Sequence, residues 1–129
     1  MRKKRLLLIL PAMLAIGLVH AQTGNTQLGD GAGVNITSGD YDTFIGDSAG
    51  YSVTSGSYNT HVGFGAGYSN TSGSDNSTLG YRAGFSNTTG TDNVYIGKFA
   101  GYAATGTDNT FVGSEAGYRV TTGADNTFI

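Results

Sequence analysis

Residues 59–67 have the sequence NTHVGFGAG, and a nearly identical motif, NTFVGSEAG, recurs at residues 109–117. The glycine that follows the valine can be traced through the chain at intervals of 17, 17, 17, 17 and 16 residues. A fixed period of this length is the signature of a repeat architecture, in which each unit packs only on its neighbours. The marker glycines are Gly29, Gly46, Gly63, Gly80, Gly97 and Gly113.

Each unit predicts one turn of a parallel β-solenoid. Seventeen residues are too few for two packed helices, and the dominant Gly, Asn, Thr and Ser are poor helix formers. What remains is a short strand over Asn-Thr-x-φ, where φ is Ile, Leu or Val, followed by Gly-x-x-Ala-Gly and a Thr-Gly turn. We therefore predict an all-β protein: a narrow parallel β-roll of six 17-residue turns and a partial seventh over residues 22–129.

Strand alternation decides which residues share a face. Every second residue of a strand points to the same side, so the Thr and φ columns lie together. We assign both columns to the interior, opposite the Ala of the Ala-Gly pair, and expect only methyl-sized and small aliphatic groups inside. The residue between them, such as His61, is then expected on the surface. The Thr column is Thr26, Thr43, Thr60, Ser77, Val94, Thr110 and Thr127, and the φ column is Leu28, Ile45, Val62, Leu79, Ile96, Val112 and Ile129.

An Asn or Asp precedes each member of the Thr column, and this pattern indicates a structural role for the side chain. Stacked Asn side chains bond one another along a solenoid, whereas calcium-binding repeats need paired glycines and more closely spaced aspartates. We interpret Asp40 and Asp42 as parts of a solvated turn. We predict no metal site and no cofactor.

The residue types present argue against catalysis. The chain has no Cys, and His61 is the only histidine after residue 21, which excludes a His pair there. Because His61 is expected on the surface among Gln, Thr and aromatic residues, we expect no Ser-His-Asp set either. We expect a protein that is not an enzyme, with no small-molecule substrate.

One aromatic column recurs once per turn. Rings in register are expected to stack into a stripe along the solenoid, which shields the Gly-rich backbone. The same stripe would also suit a contact with a sister chain or a ligand. The candidate interface or ligand residues are Tyr51, Tyr68, Phe85, Tyr102 and Tyr118.

Residues 1–21 have the pattern of a secretory signal peptide. Four basic residues within positions 2–5 precede an apolar run, and small residues lie at the −3 and −1 positions of a cleavage site after Ala21. The remainder carries three basic and nine acidic side chains. That balance argues against nucleic acid, or an anionic membrane surface, as a partner.

The unit resembles the head repeats of trimeric autotransporter adhesins of the YadA-like family, which are built on a Ser/Asn-x-x-Ile-Gly strand followed by Gly-x-x-Ala. Residues 59–67 and 109–117 carry the resemblance, which covers residues 24–129. It implies a left-handed β-roll, a homotrimer, and adhesion to host matrix, cells or glycans from the surface of a Gram-negative bacterium. The unit departs from the family's usual turn of about 14 residues, which implies a longer loop.

Three functions are compatible with this pattern. The first is a structural or adhesive surface module. The second is a tail-fibre-like stalk that precedes a self-cleaving intramolecular chaperone domain, because similar arrays occur in exported Bacteroidota proteins. The third is an ice-binding solenoid, which needs a flat Thr-x-Thr array facing water. The chain has Thr-x-φ instead, and its Thr column is expected to be buried, so we expect a negative ice-recrystallisation assay. Because residues 125–129 read as the strand of a seventh turn without a cap, we also predict that the chain is a fragment of a longer reading frame.

Overall fold

The computed structural model describes residues 23–129, and the expected signal peptide of residues 1–21 lies outside them. Seven short strands pair in parallel into one sheet, in chain order from β1 to β7. This confirms the predicted β-solenoid of stacked turns. Within residues 23–129 there is no helix that would be able to cross a bilayer. The strands are β1 (Thr26–Leu28), β2 (Thr43–Ile45), β3 (Thr60–Val62), β4 (Ser77–Leu79), β5 (Val94–Ile96), β6 (Thr110–Val112) and β7 (Thr127–Phe128).

Residues that pair in neighbouring strands are separated by one period of the sequence repeat. Thr43 pairs with Thr60, and Phe44 pairs with His61, one turn later. Each of the strands β1 to β6 is followed by a marker glycine with a positive φ, such as Gly63 at 127°. A Cβ on Gly63 would lie 2.6 Å from the carbonyl oxygen of Gly80, so the turns approach too closely here for any side chain. The period is thus enforced by backbone contact between successive turns.

The predicted orientation of the strands is wrong by one residue. The middle residue of each inner strand is buried, as for Phe44, His61 and Tyr95, while the Thr and φ columns on either side face outward. His61 is therefore an interior residue and not a surface one. The interior column is Gln27, Phe44, His61, Thr78, Tyr95, Phe111 and Phe128, with its two terminal members exposed.

Rings fit inside this narrow roll because the opposite wall has almost no side chains. The Ala column points inward as predicted, and Ala49 and Ala100 are fully buried. In each turn with a ring in the interior column, the glycine after the Ala lies against that ring: a Cβ on Gly50 would lie 2.7 Å from the Phe44 ring, and one on Gly101 would lie 2.7 Å from the Tyr95 ring. The expectation of a purely aliphatic interior was wrong because it overlooked the space that this glycine provides.

The Asn column forms a continuous hydrogen-bonded row, which we call the asparagine ladder. In a typical step, the backbone N–H and the side-chain amide of Asn93 both donate to Oδ1 of Asn76, at 3.2 and 2.9 Å. The same amide also donates to the carbonyl of Gly106 at 2.9 Å. The predicted structural role of this column is confirmed. Its members are Asn25, Asp42, Asn59, Asn76, Asn93, Asn109 and Asn126.

Asp42 is the one acidic member of the asparagine ladder, and the prediction that it lies in a solvated turn is wrong. Its side chain is buried, and Oδ1 accepts the backbone N–H of Asn59 at 2.7 Å. Oδ2 has no partner, because it occupies the place where an asparagine would donate to a glycine carbonyl. Burial is the main reason why the pKa of Asp42 rises from 3.8 to about 6, and the nearby Asp40 carboxylate adds to the rise.

Candidate functional site

The outward columns of the strands form one continuous surface without charged side chains, which we call the outer strand face. It comprises the Thr and φ columns defined above. Leu28 is 66 % exposed and Leu79 is 50 % exposed. The hydroxyl groups of the Thr column bond to no other residue within 23–129, whereas turn hydroxyls such as that of Thr37 donate to the carbonyl of the next turn. The face thus offers rows of free hydroxyl and aliphatic groups, repeated at the strand spacing of about 4.8 Å.

The aromatic column forms a second surface, the tyrosine ladder, which comprises Tyr51, Tyr68, Phe85, Tyr102 and Tyr118. Successive ring centroids lie 5.0–5.3 Å apart with interplanar angles of 4–12°. The structure therefore brings all five predicted residues into one stack. Because the inner rings cover one another's faces, the ladder presents ring edges to solvent, and its contact with a sister chain or ligand stays a prediction.

Beside the tyrosine ladder lies a patch that breaks the repeat, which we call the cationic patch: Tyr81, Arg82, Phe85, Lys98 and Phe99. The guanidinium carbon of Arg82 lies 5.4 Å from the centroid of the Tyr81 ring and 5.2 Å from that of Phe85. The ammonium nitrogen of Lys98 lies 5.3 Å from the centroid of the Phe99 ring. Two cations thus lie among aromatic rings on adjacent turns.

Phe99 gives this patch its shape. Its ring stands at 84° to Tyr81, at 86° to Tyr102 and at 86° to Tyr118, with centroids 5.2, 5.5 and 5.9 Å away. The other ring pairs of residues 23–129 are stacked nearly parallel. The Phe99 ring and the Tyr81 ring therefore form a right-angled corner beside the parallel rings of the tyrosine ladder.

The cationic patch does not follow from the columns that repeat, and it was not predicted. The two positions after the marker glycine vary from turn to turn, and only there do cations and rings alternate. This departure from the repeat is the signal in the sequence that points to Arg82 and Lys98.

Within residues 23–129, the acidic and histidine side chains form no group of three or more that would hold a metal ion. His61 is enclosed: its Nδ1 lies 2.9 Å from the Thr78 hydroxyl, and its Nε2 lies 3.4 Å from the Asn70 amide. Burial lowers the pKa of His61 from 6.5 to about 4, which keeps the ring neutral. The surfaces that remain suit binding by packing, hydrogen bonding and charge. Comparison of the chain with family models, with curated proteins and with solved structures finds no match.

Proposed function

We propose that the protein is a non-catalytic structural or adhesive repeat module, which acts at the cell surface or outside the cell. The observation that carries this proposal is the uninterrupted outer strand face, an uncharged and partly apolar surface along all seven strands. Rows of exposed aliphatic side chains such as Leu28, Ile45 and Leu79 are typical of sites where another surface binds. The resemblance of residues 24–129 to YadA-like head repeats supports the same function.

Export and assembly belong to this proposal. The signal-peptide pattern of residues 1–21 supports secretion to the outer surface of a Gram-negative bacterium. The resemblance supports a homo-oligomer, with a trimer as the expected state. Light scattering of the mature protein measures its mass, and a monomer at all concentrations would contradict this part.

Adhesion is tested with beads coated with the mature protein, whose retention on matrix-coated and cell-coated surfaces is measured under flow. We expect retention well above that of uncoated beads. The double variant Ile45→Lys/Ile96→Lys, which places two charges on the outer strand face, is expected to reduce it several-fold. Ser114→Lys adds a charge at an exposed position outside that face and serves as the control. Wild-type beads that detach as readily as uncoated ones would rule out the adhesive function.

A second candidate, ice binding, is favoured by one specific observation. A buried Thr column was expected to exclude ice binding, but the structure places Thr26 and Thr60 in exposed positions with unpaired hydroxyls. The φ column still stands where the second Thr of a Thr-x-Thr array would be. A flat array of hydroxyl and methyl groups at about 4.8 Å spacing can order water into a lattice-like layer.

Ice recrystallisation in the presence of the purified protein tests this candidate. Inhibition by the wild type, its loss in Thr60→Tyr and its retention in Ser114→Tyr would support ice binding through the outer strand face. Crystals that coarsen as fast as in buffer would eliminate it.

A further inference from the structure

We propose that the cationic patch binds the carboxylate-bearing sugar residues of an acidic glycan. This inference deepens the proposed adhesive function, and rests on it, by naming the ligand class of one surface. The chemistry required is a cation that pairs with the carboxylate and an apolar ring that packs against the C–H groups of the sugar.

Charge is the first reason. Residues 23–129 contain three basic side chains against nine acidic ones, so positive charge is scarce. Two of the three, Arg82 and Lys98, nevertheless lie on adjacent turns within the same patch, and Arg119 is the third. Within the described part of the chain neither Arg82 nor Lys98 forms an ion pair. Their charges therefore remain available to an anion from outside.

Backbone strain is the second reason. Arg82 and Phe99 occupy equivalent positions in successive turns, with φ angles of 52° and 58°. Glycine fills this position at Gly31 and Gly65, where the left-handed conformation carries no strain, and Ser48 and Glu115 fill it in the remaining turns with φ angles of 59° and 62°. The left-handed backbone therefore belongs to this position of the repeat, and a bulky residue is the least easily accommodated there. Arg82 and Phe99 are the two bulky residues at this position, and they place a cation and a ring on adjacent turns.

The orientation of Arg82 is the third reason. The rings of Tyr81 and Phe85 flank its guanidinium and restrict its rotation. Its Nε is buried without a hydrogen-bond partner within residues 23–129, so the two Nη groups at the tip are the donors that an outside carboxylate can reach. A guanidinium held in this way is a pre-oriented donor for a carboxylate, which it recognises better than a lysine does because its donors form a planar fork.

The apolar part of the site is the corner at Phe99. Tyr81 is 42 % exposed, and the Phe99 ring stands nearly perpendicular to it. Phe64, which is 48 % exposed and stacks on Tyr81 at 5.5 Å, extends the apolar floor by one turn. A sugar ring resting on this floor would have its carboxylate within reach of Arg82, with Lys98 on the following turn. The nearby acidic residue Glu115, one turn beyond Phe99, limits the patch on that side.

The test measures binding of the full mature chain to two acidic probes, oligogalacturonic acid and sialyllactose, by isothermal titration. Maltohexaose and lactose are the neutral probes. We expect binding of at least one acidic probe, weakened by salt, and none of the neutral probes. Equal binding of neutral and acidic sugars, or no binding of either acidic probe, would overturn the proposal.

The repeat itself supplies matched variants. Arg82→Gly and Phe99→Gly introduce the residue found at Gly65, and Lys98→Ser introduces the residue found at Ser114. We expect Arg82→Gly and Phe99→Gly each to lower affinity at least about tenfold, with a melting temperature equal to or above that of the wild type because strain is relieved. Arg82→Gln keeps the side-chain stem and should also lose affinity, which separates charge from packing.

Arg119→Gln removes a cation outside the patch and should bind as the wild type does. Full affinity in Arg82→Gly and Phe99→Gly, or an equal loss in Arg119→Gln, would contradict the site. The two proposals fail in distinguishable ways. If the coated beads adhere but the protein shows no affinity for acidic sugars, the glycan site is refuted and the adhesive function stands. Sugar binding without bead adhesion refutes the adhesive function instead.

Discussion

At the scale of single residues, the interior holds Asp42 and His61, whose pKa values shift in opposite directions. Asp42 is more easily protonated in the fold than in the unfolded chain, and His61 is less easily protonated. Between about pH 4 and pH 6 the first group favours the fold as the pH falls, and the second disfavours it. The two effects offset one another, so we expect the wild-type free energy of unfolding to change little across this range.

Replacing Asp42 by asparagine should stabilise the protein. The ionised carboxylate destabilises the fold above pH 6, and this penalty disappears as the pH falls to 3.8, because the folded pKa is raised. Asp42→Asn removes the penalty and restores the amide donor of the asparagine ladder. We expect a gain of about 2–3 kcal/mol at pH 7 and a much smaller one at pH 4. Urea unfolding at both pH values measures it, with exposed Asp30→Asn as the control; an equal gain at both would contradict the stated cause.

Replacing His61 by phenylalanine should remove acid sensitivity. The neutral imidazole stabilises the fold fully above pH 6.5, and this contribution is lost as the pH falls through 4. Phenylalanine already occupies the same column at Phe44 and Phe111, but it leaves the Thr78 hydroxyl without its partner. We expect His61→Phe to lower the free energy of unfolding by about 1 kcal/mol at pH 7. In the Asp42→Asn background, it should also abolish the fall in the free energy of unfolding between pH 6.5 and pH 4. An unchanged slope in the Asp42→Asn/His61→Phe double variant would refute this.

At the scale of the strand and its turn, the sequence was sufficient for the period and insufficient for the orientation. The recurrence of Gly63 and Ala66 determines the length of a turn, since both positions have no room for a larger side chain. Alternation requires that Thr60 and Val62 share a face, but a shift of one residue exchanges inside and outside. Aliphatic character favoured placing Val62 inside, yet the space beside Gly67 accommodates the His61 ring. That space arises between turns and is not visible in a single strand.

The marker glycine should tolerate no side chain where another turn lies against it. Gly63 and Gly113 have similar φ angles of 127° and 131°, so alanine is equally strained at both. A Cβ on Gly63 would meet the Gly80 backbone, whereas one on Gly113 would meet only the Ala116 methyl group at 3.8 Å. We expect Gly63→Ala to lower the melting temperature by several degrees more than Gly113→Ala, as measured by circular dichroism. Equal losses would mean that φ strain alone explains the glycine.

At the scale of the whole molecule, the turns are interchangeable units that contact only their sequence neighbours. Deleting residues 60–76 removes one complete turn and joins Asn59 to Ser77, which is the register partner of Thr60. We expect the variant to fold with an unchanged type of circular dichroism spectrum and a lower melting temperature. Deleting residues 60–68 removes half a turn and should leave the chain unable to stack. If both deletions fold alike, the turn is not the unit of folding.

The direction of the hydrogen bonds between turns has a mechanical consequence. Bonds such as those from Thr43 N–H to Asn59 and from Gly50 N–H to Ala66 run from one turn to the next. A pull along the stacking direction therefore loads the bonds of one turn boundary in tension, and the turns peel away one after another at low force. Each detached turn releases 17 residues, or roughly 60 Å of extended chain. A tether built in this way would absorb a sudden load by lengthening stepwise, and it would rewind when the load falls.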